Sequence, residues 1–217
     1  MIQDLLALCI DALEQLYIPE ELMFAKSARF DLTTNRLSID PPSPRDTAIA
    51  LIALNRVKNR GYPIEFNTDK VLYNLIRKYI DNLGYEDISL ILWADSEGEQ
   101  RYLDEIWKNL ENRSNFFKDQ HNGLSYRTME MAWLLTALCH YYPFAKNQDV
   151  IQELSTRVKA AIINNFNLET NLFYASNRLH RKNFIRAKYN NTLASLSSQT
   201  FTIMALGLYC QLFNEND

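Results

Sequence analysis

The sequence predicts an all-α fold in which outer and inner helices alternate, and three observations predict it. Stretches at 44–57, 88–94, 124–142 and 200–213 are apolar on nearly every side, and a helix apolar all round is buried all round. Each follows a segment with one apolar stripe at helical spacing, the mark of an amphipathic outer helix. Only 5 glycines and 6 prolines occur in 217 residues, too few for an all-β chain with many tight turns or for a glycine-rich phosphate loop.

Taken in order, Ile2, Leu5, Leu6, Cys9, Leu13 and Leu16 form the stripe of a first outer helix. A long connection follows, extended over 22–30 and closed by Pro41 and Pro42. Ser43-Pro44-Arg45-Asp46 then reads as a helix start: Ser43 as N-cap, Pro44 at the first position, and Asp46 reaching back as in a capping box. Val71, Leu72, Leu75, Ile76, Tyr79 and Ile80 make the second outer stripe, which Gly84 ends. The short run 88–94 is an inner helix, with a strand as the competing reading. Tyr102, Leu103, Ile106, Trp107 and Leu110 supply the third outer stripe, and Val150, Ile151, Leu154, Val158 and Ile162 the fourth. Residues 166–175 read as a β-hairpin turning at 169–171. The expected product is one α/α helical-hairpin domain over 1–217, with about four outer-inner pairs and small β-hairpin insertions.

Composition narrows the function classes. A 47% hydrophobic chain with no evident linker suits one sizeable core. Net charge is -3, so no basic field favours nucleic acid. No apolar run reaches the roughly 20 residues of a membrane span. Cys9, Cys139 and Cys210 are odd in number and sit in apolar helical segments, as reduced cysteines in a reducing compartment do. The first helix carries Asp4, Asp11 and Glu14 with no basic lead, unlike a signal peptide. Together these predict a cytoplasmic protein.

Two segments look like variants of one unit: Leu22-Met23-Phe24-Ala25 leads to Asp46-Thr47, and Leu172-Phe173-Tyr174-Ala175 leads to Gln199-Thr200. Inner-helix starts near 44, 87, 127 and 198 recur about every 40 residues with one enlarged gap, as helix-pair repeats do. This pattern resembles the α/α toroid of six-hairpin glycosidases, sugar epimerases and terpenoid cyclases. Four pairs are fewer than the six or so that close such a ring, so the resemblance implies a toroid or an arc, completed by another copy or partner chain. It also implies a ligand mouth where inner helices begin, and the long connections at 17–42, 112–123 and 164–197 all enter inner helices.

Asp46 and Glu130 each fall in the first turn of an inner helix and form the candidate catalytic pair, one acid and one base or nucleophile as in glycoside hydrolysis. A capping box accounts completely for Asp46 and is the stronger reading there, while for Glu130 the alternative is an ion pair with Arg127 or Arg45. Asp95 and Glu97 read as solvated turn residues. Tyr126 and Tyr174 lie near loop ends and are candidates to stack on a ligand, whereas Trp93 and Trp133 read as core. His121, beside Asp119, is a mouth-loop histidine. The insertion 177–189 holds Arg178, His180, Arg181, Lys182, Arg186 and Lys188 without an acid, so Arg178 and Arg181 would grip an anionic ligand; the alternative is a solvated loop. Arg45, Arg127 and Gln199 complete the expected substrate-binding set.

No metal or cofactor is expected. Cys139-His140 resembles the zinc-binding pair of lanthionine cyclases but lies at the wrong end of its helix. The aspartate-rich and glutamine-tryptophan motifs of terpenoid cyclases are absent. The leading expectation is a glycosidase- or epimerase-like enzyme for an anionic saccharide. The alternative is a non-catalytic helical-repeat scaffold for another protein; a terpenoid or peptide cyclase comes third.

Overall fold

The computed structural model describes residues 2–113, 126–176 and 194–214. The chain is mostly helical with small antiparallel hairpins, and among the described residues no helix is long and apolar enough to cross a membrane. It forms two compact units, Met1–Leu83 with Ala94–Tyr102, and Gly84–Trp93 with Leu103–Asp217.

The first unit opens with α1 (Ile2–Leu16), followed by a hairpin of β1 (Tyr17–Ile18) and β2 (Met23–Phe24) and a ribbon of β3 (Ala28–Asp31) and β4 (Arg36–Ile39). Then come α2 (Pro44–Asn59) and α3 (Thr68–Tyr79). Helix α2 starts at the cap and proline that the sequence predicts, but without the Asp46 half of the capping box, since the Ser43 amide donates to Phe24 O at 3.0 Å instead. Ser43 is extended at φ -127°, its hydroxyl accepts the Asp46 amide at 3.2 Å, and Pro44 fills the first helical position. Asn67 caps α3 by accepting the Lys70 amide at 3.0 Å. Leu51, Leu54, Leu75 and Ile76 are fully buried. Tyr17, Phe24 and Phe66 close a triangle with ring centroids 5.2 to 5.4 Å apart. The stripe of α1 is largely uncovered: Leu5 and Cys9 are exposed, Leu6, Leu13 and Leu16 half-buried.

The segment after residue 94 corrects an expectation. Asp95 is wholly buried rather than solvated. The chain turns back after Ser96 so that the Tyr102 amide donates to Asp95 Oδ2 at 2.8 Å, with the amides of Arg101 and Gln100 beside it. Glu97 is likewise engaged, taking Arg56 at 2.7 Å.

The second unit holds α4 (Tyr85–Ser96) through Trp93, then α5 (Leu103–Arg113), α6 (Thr128–Tyr141), α7 (Gln148–Ile163), a hairpin of β5 (Phe166–Asn167) and β6 (Leu172–Phe173), and α8 (Leu196–Phe213). The 88–94 run is helical, so the competing strand is excluded. Helix α6 is enclosed as its pattern demands, with Met131, Trp133, Leu134, Leu135, Leu138 and Cys139 buried. Helix α7 buries Ile151, Leu154, Val158 and Ile162. Trp107 of α5 stacks on Tyr141, centroids 5.4 Å apart.

Helix α8 departs from its pattern. It buries Ser198, Gln199, Thr202, Ala205 and Tyr209, yet Ile203 is 63% and Met204 52% exposed, where both read as core. A helix with no polar face does not mark which side meets solvent, so the sequence shows the need for cover without showing the cover.

Candidate functional site

In each unit the backbone of a short hairpin is tied to the start of a neighbouring helix. In the first, Thr47 Oγ1 accepts the Phe24 amide at 2.9 Å and donates to Ser43 O at 2.7 Å, while Ser43 N donates to Phe24 O. In the second, Gln199 takes the Phe173 amide on Oε1 at 3.1 Å and gives Nε2 to Phe173 O at 2.9 Å. The correspondence extends further. The hairpin loops 19–22 and 168–171 are equal in length, Leu22 and Asn171 both take left-handed φ, and Ser43 and Ser195 are both N-caps. Tyr17 faces Phe24 as Phe166 faces Phe173. The two segments singled out in the sequence are variants of one structural unit.

Gln199 is 7% exposed and its carboxamide is occupied by backbone, so its described role is to hold the hairpin. Tyr174 also belongs to the hairpin: its amide donates to Asn165 O, and its hydroxyl accepts from Asn167 Nδ2 at 2.7 Å. The start of α6 joins the same hairpin. Thr128 N donates to Ala175 O and Thr128 Oγ1 to Tyr174 O, while Asn165 Nδ2 donates to Thr128 Oγ1 at 3.1 Å. Tyr126 points its hydroxyl at Ala161 O, 3.0 Å away, and burial raises its phenol above the usual range.

Glu130 sits one turn further on, with its side chain 17% exposed. Its Oε2 accepts from the Tyr85 hydroxyl and from the Arg127 amide, each at 3.4 Å, and Arg127 Nε lies 3.9 Å from Oε1. Arg127 is the ion-pair partner foreseen for it. Tyr85 opens α4, so the first turns of α4 and α6 meet at this carboxylate. Burial, then the Glu130 charge, pushes the Tyr85 phenol far above its ordinary range. Tyr85 was not foreseen; its signal is a tyrosine directly after Gly84 at the start of α4.

Asp46 and Arg45 are half-buried in the first turn of α2. Asp46 belongs to the first unit and Glu130 to the second. His121, Arg178 and Arg181 lie outside the described residues. Cys139 is buried, its thiol pushed up to about 12 by burial, and the His140 ring stacks on Trp93 at 5.6 Å.

A cleft of about 490 Å³ lies in the first unit between the end of α2 and the start of α3. Its walls carry two ion pairs, Lys58 with Glu99 at 2.8 Å and Arg101 with Asp69 at 3.2 Å. None of the described residues predicted for a site lines it.

Compared with known protein families, curated proteins and solved structures, the chain matches none.

Proposed function

We propose that this chain is a carbohydrate-related α/α toroid, or an arc of one, with glycosidase- or epimerase-like chemistry centred on Glu130. The observation that carries this reading is the contact of Tyr85 with Glu130. It brings a carboxylate to the first turns of α4 and α6, and in a toroid the ligand binds where the inner helices begin. Donors from Tyr85 and from the Arg127 amide suit a carboxylate that works in its charged form, as base or nucleophile. The positive ends of α4 and α6 and the exposed Arg127 favour an anionic saccharide.

The test is a thermal-shift and turnover screen of uronates against neutral sugars. A uronate should stabilise the wild type, and Glu130→Gln should keep binding while losing turnover. Absence of a shift with every saccharide sinks the reading. The scaffold reading draws on a different observation, the exposed Ile203 and Met204 of α8; a partner protein that protects these two from solvent, with no saccharide response, would favour it.

A further inference from the structure

The β3–β4 ribbon has one polar and one apolar face. Its register pairs Arg29 with Ser38 and Asp31 with Arg36, and between them Ala28 with Ile39 and Phe30 with Leu37. Successive residues of a strand point to opposite faces, so Ala28, Phe30, Leu37 and Ile39 share one side. Phe30 is 55%, Leu37 47% and Ile39 45% exposed. Among the described residues no third strand joins this sheet. A free two-stranded ribbon with an apolar face is marginal in water, and its unpaired edge is a template for another strand.

The hydrogen bonds fix which backbone groups are free. Asp40 N donates to Ser27 O at 2.9 Å. By the antiparallel alternation, residues 27, 29 and 31 turn their backbone groups toward β4, and Ala28 and Phe30 turn theirs to the outer edge.

We infer that β3 pairs with β3 of a second copy, antiparallel about a two-fold axis at Phe30. A two-fold contact must be complementary to itself, and this register is. Phe30 exchanges its N–H and C=O with Phe30 of the copy, and Ala28 falls opposite Leu32. Arg29 falls opposite Asp31, and Asp31 opposite Arg29. Moving the axis to Ala28 loses both charge pairs. Arg29 is well placed for this, since its side chain is 80% exposed and among the described residues its ion-pair contact is the 3.8 Å approach to Asp40. Asp31 is held in place by the Thr33 and Thr34 amides and the Thr34 hydroxyl, which keep its carboxyl below the usual range.

Sedimentation equilibrium over a range of protein concentrations tests this. The wild type should dimerise. Phe30→Pro removes the outward N–H and leaves the ribbon's own hydrogen bonds intact, so it should weaken the dimer at least about tenfold, while Phe30→Tyr should not. Arg29→Glu, an exposed change that leaves folding alone, turns two attractive cross-strand pairs repulsive and should weaken it about tenfold. A wild type that stays monomeric at every concentration overturns the inference. So does a dimer indifferent to Arg29→Glu, which would place the contact on another face such as α8.

Discussion

Gln199 Oε1 and Nε2 bracket Phe173, one accepting its amide at 3.1 Å and the other donating to its carbonyl at 2.9 Å. A carboxamide in that position is a side-chain substitute for a third strand. Gln199→Ala leaves the Phe173 amide unpaired in a buried setting, while the Phe173 carbonyl keeps the Ala194 amide at 2.8 Å, at a cost of about 1 to 3 kcal/mol. Thr47→Val should cost a similar amount in the first unit, because the Phe24 amide then loses its acceptor. Urea unfolding of each variant measures both, and a loss below the error of the method would remove the clamp as an energetic feature.

Asp95 gives stability a pH dependence of defined sign. Burial raises its folded value to about 6, outweighing the Tyr102, Arg101 and Gln100 amides that pull it down; in the unfolded chain an aspartate titrates near 3.9. The folded state therefore holds the proton more tightly. The Asp95 contribution is fully present below about pH 4 and is lost as pH rises through about 6, by up to about 3 kcal/mol. Asp95→Asn should flatten that part of the profile while keeping an oxygen for the Tyr102 amide. Unfolding free energies measured between pH 4 and 7 decide it, and a variant with an unchanged slope contradicts the assignment.

Leu138 lies in the enclosed α6 and is fully buried. Leu138→Ala should cost about 2 to 5 kcal/mol, the transfer of the lost methyl groups plus the cavity they leave. A calorimetric midpoint lowered by several degrees is the expected result.

The exposed side of α8 should behave oppositely. Ile203→Glu and Met204→Lys replace side chains that are mostly solvated, so each should change stability by less than about 0.5 kcal/mol. Solubility should rise in both. A large destabilisation would mean that something covers this face in solution.

What the sequence made legible were the features decided by neighbours along the chain. The Ser43 cap, the Pro44 start and the turn at 169–171 all lie within one helical turn or one hairpin. Asp95 was misread because its burial depends on Tyr102 folding back over it. Gln199 was read as a ligand contact because nothing near it in sequence announces a hairpin backbone 26 residues away. The Arg127 partner of Glu130 was legible because it lies three residues away on the same helix start. Tyr85 was missed because it lies 45 residues from the carboxylate it touches.

The three cysteines are graded in access: Cys9 is exposed, Cys210 intermediate and Cys139 buried. A thiol reagent would therefore read the molecule as a clock. Cys9 should react at the rate of a free thiol and Cys210 more slowly. Cys139 should react only when the helices around α6 come apart, so its modification rate in native buffer counts the rare openings of that core. The chain thus carries its own reporter of how often its most enclosed helix is uncovered, with Cys9 as the internal standard.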